Sequence, residues 1–287
     1  MRTPVQEATA PSDVPKGNSQ QPNPLAARLA RHAGCLGGRV AIVLAILIGP
    51  LTSWTVIRAF HVDTADVFLG MVNTIAIILT LGAVLSLPPF IASTAARVVV
   101  SYAHSPEYPL LCVTALSDGE IVTGYVLAIL RHVRALLILM LGLAPVFGMM
   151  VAYVVWLVNV FDYPPMTWYD GVLATADLGM FGIVLKHILI TTALSLGLLG
   201  INLLATALGV GFGLWWRSAT PASIAALMTT VGSTLVISCM VAKVVGSLEI
   251  PDDFTRHLLQ CMLFAPFPYL LALGCMRLAR RWARGPG

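Results

Sequence analysis

Charge is what this chain has least of. Asp, Glu, Lys and Arg make up 10% of its 287 residues, where a soluble domain carries about 25%. Hydrophobic residues make up 58%, and a single soluble core has no place for that much apolar surface, so the chain is expected in lipid. Several kinds of chemistry are missing as well. The five cysteines (Cys35, Cys112, Cys239, Cys261, Cys275) show no C-x-x-C and no metal-ligand spacing, and most lie in apolar segments where free cysteine acts as a small hydrophobe. No G-x-x-x-x-G-K-[ST] stretch exists, which excludes a P-loop ATPase in this chain. H-E-x-x-H and G-x-S-x-G are absent too. The six histidines (His32, His61, His104, His132, His187, His257) are scattered, with no pair at ligand spacing. Residues 1–24 lack the apolar core of a cleavable signal peptide. No fixed-period repeat is evident.

What the chain does have is long apolar runs. About 20 such residues cross the hydrocarbon core as a helix. Six runs qualify, at about 40–60, 67–92, 135–161, 188–215, 222–246 and 257–279, so the expected fold is an all-α polytopic membrane protein. Lys and Arg set its orientation. With the N-terminus inside, 13 of the 17 basic residues fall on the inner side: Arg2, Lys16, Arg28, Arg31, Arg39, Arg97, Arg131, Arg134, Arg217, Arg277, Arg280, Arg281 and Arg284. Arg58, Lys186, Lys243 and Arg256 fall outside, together with most of the acids. Both termini are therefore expected in the cytoplasm, and 93–134 is the long inner connection.

Residues 1–24, rich in Pro, Ser, Gln and Asn, read as a disordered cytoplasmic tail. Residues 25–38 read either as an interfacial amphipathic helix or as a basic flank to the first span. In the outer segment 162–187, Asp162-Tyr163-Pro164-Pro165 breaks the helix, and 171–185 reads as a re-entrant or surface-lying helix. Pro145 should kink the third span, and Pro88-Pro89 should bend or end the second. Small-xxx-small steps occur at Ala205, Gly209 and Gly213 and at Ser238, Ala242 and Gly246, and serve either packing within the bundle or a dimer face. Polar groups within the spans are few: Asn73, Thr74, Thr80, Asn202 and Gln260. Interhelical hydrogen bonding accounts for them, a transport pathway being the alternative. Lys243 either snorkels to the headgroups or faces a cavity.

The most informative stretch is Glu107–Gly124, E-Y-P-L-L-C-V-T-A-L-S-D-G-E-I-V-T-G. Ser105-Pro106-Glu107 supplies an N-cap, a first-turn proline and a first-turn carboxylate. Tyr108, Leu111, Cys112 and Ala115 then form an apolar stripe on a short helix. Ser117-Asp118-Gly119-Glu120 is an S-x-x-E capping box that ends this helix and starts a second at Asp118. The second helix runs through Ile121, Val122 and Tyr125 into the third span.

This stretch resembles the cytoplasmic loop between the second and third spans of ABC-2 type transporter permeases, which often reads L-L-x-T-P-L-S-x-x-E-I-x-x-G-K. Leu110, Leu111, Thr114, Leu116, Ser117, Glu120, Ile121 and Gly124 stand at the matching places, while Ala115 replaces the proline and Tyr125 the lysine. The family's upstream E-R-x-x-G-T-type pattern is not present. Residues 203–230 are similar, more loosely, to the family's small-residue helix ending at an inner arginine.

The resemblance implies a permease subunit in a bacterial-type plasma membrane, with six spans and a coupling helix between the second and third. A separate ATP-binding cassette subunit would carry ATP and Mg, and a second permease, identical or not, would complete the transporter. Tyr108, Leu111 and Cys112 would form the apolar contact with the ATP-binding subunit. Glu107 and Glu120 would pair with its basic residues, unless Glu120 only caps its helix, and the corner at Ser117 would transmit the push. No catalytic residue, cofactor, metal or nucleic-acid partner is expected in this chain. Two other readings stand beside it: a non-transporting structural or assembly subunit of a larger membrane complex, and an intramembrane enzyme. The enzyme would need a converging His, Asp, Glu or Ser cluster.

Overall fold

The computed structural model describes residues 41–47, 50–51, 67–105, 116–158, 179–216, 218–248 and 253–283. Among them the chain is helical throughout, with no strand. The helices are α1 (Val67–Ala103), α2 (Asp118–Val158), α3 (Gly179–Trp216), α4 (Ala219–Gly246), α5 (Asp253–Phe264) and α6 (Pro266–Ala279), followed by a 3-10 turn at Arg280–Trp282. Four segments of the described residues are long and apolar enough to cross a membrane: Asp118–Pro145, Ile188–Trp216, Ala219–Gly246 and Leu258–Trp282. The protein is thus a multi-pass helical membrane protein. The expected first span is described only at residues 41–47 and 50–51, which are helical.

Several expected boundaries move. Helix α1 continues to Ala103, beyond the expected end of the second span, whereas α2 begins at Asp118 as the capping box predicts and runs on as one helix into the expected third span. The reason is packing: in the extensions Arg97 and Arg131 face outward, while Ala96, Val99, Val100, Ile129 and Val133 are buried. An amphipathic stripe keeps both helices going where the sequence is no longer wholly apolar. Pro88 and Pro89 lie inside α1 and do not end it, and α2 continues through Pro145. In the segment expected as the sixth span, the helix is interrupted between α5 and α6 at Ala265, whose own backbone stays in the helical region. Pro266 and Pro268 carry no N–H, so the carbonyls four residues earlier lose their helical donors. The break is tight, since the Ala265 N–H still reaches the Cys261 carbonyl at 3.1 Å. Residues 179–185 belong to the continuous helix α3 rather than to a separate re-entrant helix, and 162–178 lie outside the described residues.

Helix α3 is the centre of the bundle and packs against α1, α2, α4, α5 and α6. Its small residues decide how closely. A Cβ placed on Gly209 would run into the Ala92 carbonyl and the Ala95 methyl of α1, and one on Gly213 would meet the Ala96 carbonyl at 2.9 Å. Ala205, one turn earlier, is fully buried. Of the two readings of this motif, packing within the bundle is the one realised. Ser238, Ala242 and Gly246 of α4 are instead exposed in the single chain, and a Cβ on Gly246 would meet nothing within 4 Å. On the other side of α3, Gly197 and Gly200 lie under the rings of Phe264 and Tyr269, and the Tyr269 hydroxyl donates to the Leu196 carbonyl at 2.9 Å. The helical residues 41–47 reach α2 at Gly142, where a Cβ would stand 2.9 Å from the Ala45 Cα.

Putting leucine at Gly209 forces α1 and α3 apart, and overpacking of this kind costs about 1–3 kcal/mol. In detergent, Gly209→Leu is expected to lower the unfolding temperature by roughly 5 °C or to prevent recovery of monodisperse protein. Gly246→Leu, in open space, should elute and melt like the unaltered chain.

Candidate functional site

The corner between α1 and α2 is built as the S-x-x-E pattern requires. The Ser117 N–H donates to Glu120 Oε2 at 2.7 Å, and the Ser117 hydroxyl donates to the same oxygen at 2.8 Å. The Glu120 N–H donates back to Ser117 Oγ at 3.3 Å. The Ile121 N–H donates to the Ser117 carbonyl at 3.1 Å and makes the first helical turn. Two amide donors that a helix start leaves without partners are thereby satisfied reciprocally. Asp118 and Glu120 also place negative charge in the first turn, at the positive end of the α2 dipole. Glu120 caps its helix.

Beneath the cap lies a packed core. Ile121, Val122, Tyr125, Val126 and Ile129 of α2 are buried against Ala95 and Val99 of α1 and Val210 and Leu214 of α3, with Leu116 packed on the same cluster. Tyr125 is fully buried and meets Tyr102 of α1 edge to face, with ring centroids 5.8 Å apart and planes at 77°. The tyrosine that departs from the family pattern is therefore a structural residue that locks the start of α2 to the end of α1. Helix α1 closes just before the corner, where the Ser105 N–H donates to the Tyr102 carbonyl at 2.9 Å.

The C-terminal turn is the part that the sequence did not announce. Ala279 and Ala283 are buried in the same core, with Met276 and Trp282 packed against it. The Arg280 guanidinium lies over the corner, its Nε 3.3 Å from where a Cβ on Gly119 would stand. A cation above a helix N-terminus opposes the dipole, and the acidic first turn compensates. No spacing in the sequence pairs Arg280 with Gly119. The only signal was that an inside assignment for both residues places them at the same end of the bundle.

Ser117, Glu120 and Leu116 are thus brought together at the corner, whereas Glu107, Tyr108, Leu110, Leu111, Cys112 and Thr114 lie outside the described residues. Among the described residues the polar groups within the bundle do not assemble a second site. The hydroxyls of Thr192, Ser195, Thr206, Thr230, Thr234 and Ser238 each bond a carbonyl four residues back on their own helix. Asn202, 1% exposed, donates to the Leu198 carbonyl at 2.7 Å and lies 3.6 Å from the Met140 sulfur of α2. Its strong bond is thus within its own helix, and only the weak thioether contact crosses between helices. Asn73, Thr74 and Thr80 fall within α1, and Lys243 is exposed near the end of α4. Among the described residues no group of three or more His, Cys, Asp or Glu side chains is placed to hold a metal ion.

In comparisons with known proteins, the chain matches no protein-family model, no curated protein and no solved structure.

Replacing an N-cap serine with alanine costs about 1 kcal/mol. In Ser117→Ala, hydrogen exchange at the amides of residues 119–121 should therefore speed up about fivefold, while exchange within α3 stays as it was. Equal rates at 119–121 in the two proteins would show that the cap does not hold this corner.

Proposed function

We propose that this chain is the membrane-spanning permease subunit of an ATP-driven transporter of the ABC-2 type, working with a separate ATP-binding cassette subunit. The observation that carries the reading is the corner itself. A capping box at Ser117–Glu120 opens a continuous helix of 41 residues that enters the bundle directly. A helix of that length is a rod of about 60 Å. Force applied to the segment before the cap reaches the bundle interior without passing through a flexible joint.

On this reading residues 107–116 form a coupling helix seated on the ATP-binding subunit. Tyr108, Leu111 and Cys112 make its apolar contact, Leu110, Thr114 and Leu116 support it, and Glu107 pairs with a basic residue of the partner. ATP and Mg reside on that partner, whose closure pushes the corner. Because Ile121, Val122 and Tyr125 are wedged against α1 and α3, the push moves three helices together. A second permease subunit completes the path between the two. The remaining spans, the cytoplasmic termini and the plasma-membrane setting belong to the same proposal. The exposed arginines Arg97, Arg131, Arg134, Arg277, Arg280 and Arg281, in the half of the bundle that holds the corner, favour that half as the cytoplasmic one.

The test is gentle purification of the tagged chain followed by mass spectrometry of everything that stays bound. A P-loop ATPase is expected to co-purify, and to be lost with Leu111→Asp and with Ser117→Pro while the elution of the membrane subunit is unchanged. Ser117→Pro removes the N–H that bonds Glu120. A stable set of partners without an ATPase, indifferent to both substitutions, would replace this reading with that of a structural subunit.

A further inference from the structure

We propose that the end of the bundle beside the corner carries a binding site for the phosphate headgroup of an anionic phospholipid, made by Trp215, Trp216 and Trp282 together with Arg280 and Arg281. The inference does not depend on the transporter reading.

The site begins with a stack of three indoles. Trp215 and Trp216, the last residues of α3, have ring centroids 5.3 Å apart and planes within 11°. Trp282, from the C-terminal turn, lies on Trp215 at 5.6 Å and 17°. Phe212 backs the column at 5.7–6.1 Å from the two α3 indoles. Rings from two separate elements are thus held nearly parallel in one rigid slab. The slab is not core, because Trp215 is 50% and Trp216 43% exposed. Half-exposed indoles are costly in water and unneeded in hydrocarbon, and they are favoured at headgroup level, where one part is apolar and the other wet. The apolar crossings place them there: Trp216 ends the segment Ile188–Trp216, and Trp282 ends Leu258–Trp282.

Charge supplies the rest. Arg280 and Arg281 precede Trp282 directly and are exposed, and Arg277, also exposed, lies one turn earlier on α6. No acidic residue follows Asp253 in the chain, and the two acids of the α2 first turn beside Arg280, Asp118 and Glu120, are outnumbered by Arg277, Arg280 and Arg281. Guanidinium pairs bind phosphate oxygens through parallel N–H bonds. Leu278, 48% exposed on the last turn of α6, offers an apolar surface to the start of an acyl chain. A diacyl lipid with a net negative headgroup satisfies all three features together, whereas a zwitterionic lipid leaves the arginines without a net counter-charge. Since Arg280 also lies against Gly119, a lipid bound here holds the C-terminal turn onto the corner.

The experiment uses the full chain, purified in mild detergent and equilibrated with mixed micelles of phosphatidylcholine and a minor fraction of phosphatidylglycerol. Native mass spectrometry then counts the retained lipid. Phosphatidylglycerol should be retained in preference to phosphatidylcholine, and Arg280→Gln with Arg281→Gln should weaken that retention about thirtyfold, roughly fivefold per arginine. Arg280→Lys with Arg281→Lys, which keeps the charge, should retain most of it. Trp215→Leu with Trp282→Leu, which keeps apolar bulk without the indole slab, should weaken it about threefold. Lys243→Gln, at the far end of α4, should change nothing. Equal retention of the two lipids, or phosphatidylglycerol retention untouched by the glutamine pair, would overturn the proposal. So would displacement of the lipid by inorganic phosphate alone, which would mark a simple anion site.

Discussion

Everything in this bundle depends on how closely α3 can approach α1. In a membrane the solvent is as apolar as the side chains, so burying leucine on leucine drives little association. What remains is contact of backbone with backbone, and that needs positions without side chains. Gly209 and Gly213 give α3 such positions against Ala92, Ala95, Ala96 and Val99 of α1. Gly197 and Gly200 do the same on the opposite side, where the rings of Phe264 and Tyr269 fill the space. Helix α3 is therefore gripped from two sides, and the other helices take their places around it.

The corner inherits its rigidity from that grip. Its cap is local, made by Ser117 and Glu120 alone, and the same four residues would form it on any helix. Its position is not local. Tyr125 meets Tyr102, Val126 and Ile129 meet Val210 and Leu214, and the C-terminal turn closes the cluster with Ala279 and Ala283. Four chain segments widely separated in sequence meet within two turns of Ser117. A local displacement at the corner is therefore felt by both the central helix and the C-terminal turn.

How much of this was legible beforehand follows from the range of each interaction. The capping box was readable because its donors and acceptors lie three residues apart, and helix α2 begins at Asp118 as the pattern requires. The crossings of α3 and α4 were readable from composition, with ends within a few residues of those expected. The extension of α1 to Ala103 was not, because outside lipid a helix persists only if one stripe of it is buried, and the partner that buries it comes from elsewhere in the chain. The prolines were ambiguous for the same reason. Pro88 and Pro89 stay inside a helix packed closely on α3, while Pro266 interrupts one. The choice between bundle and dimer for the two small-residue motifs was likewise a question of what lies opposite. Among the described residues, Gly209 and Gly213 have α1 opposite them, and Gly246 faces open space. At the candidate site, the cap was legible and the contribution of Arg280 and Trp282 was not, since it spans more than 160 residues of sequence with no spacing rule to join them. The transport reading rests on a pattern in the loop, and the fold supplies the mechanical setting in which that pattern would act.

The break at Ala265 has a geometric consequence for the last crossing. Helix α5 has 12 residues and α6 has 14, lengths of about 18 and 21 Å. A hydrocarbon core is about 30 Å thick, so the crossing Leu258–Trp282 needs both pieces, joined through the helical backbone of Ala265. The final passage is one helical path weakened at Pro266 and Pro268, and its two halves pack on different neighbours. Helix α6 is pinned to α3 through Pro268 and Tyr269 at Gly200 and carries the C-terminal turn, while α5 lies beyond the joint against α3 and α4. With two backbone hydrogen bonds missing there, bending to meet a bilayer of different thickness costs least at this point, beside a C-terminal half held by α3.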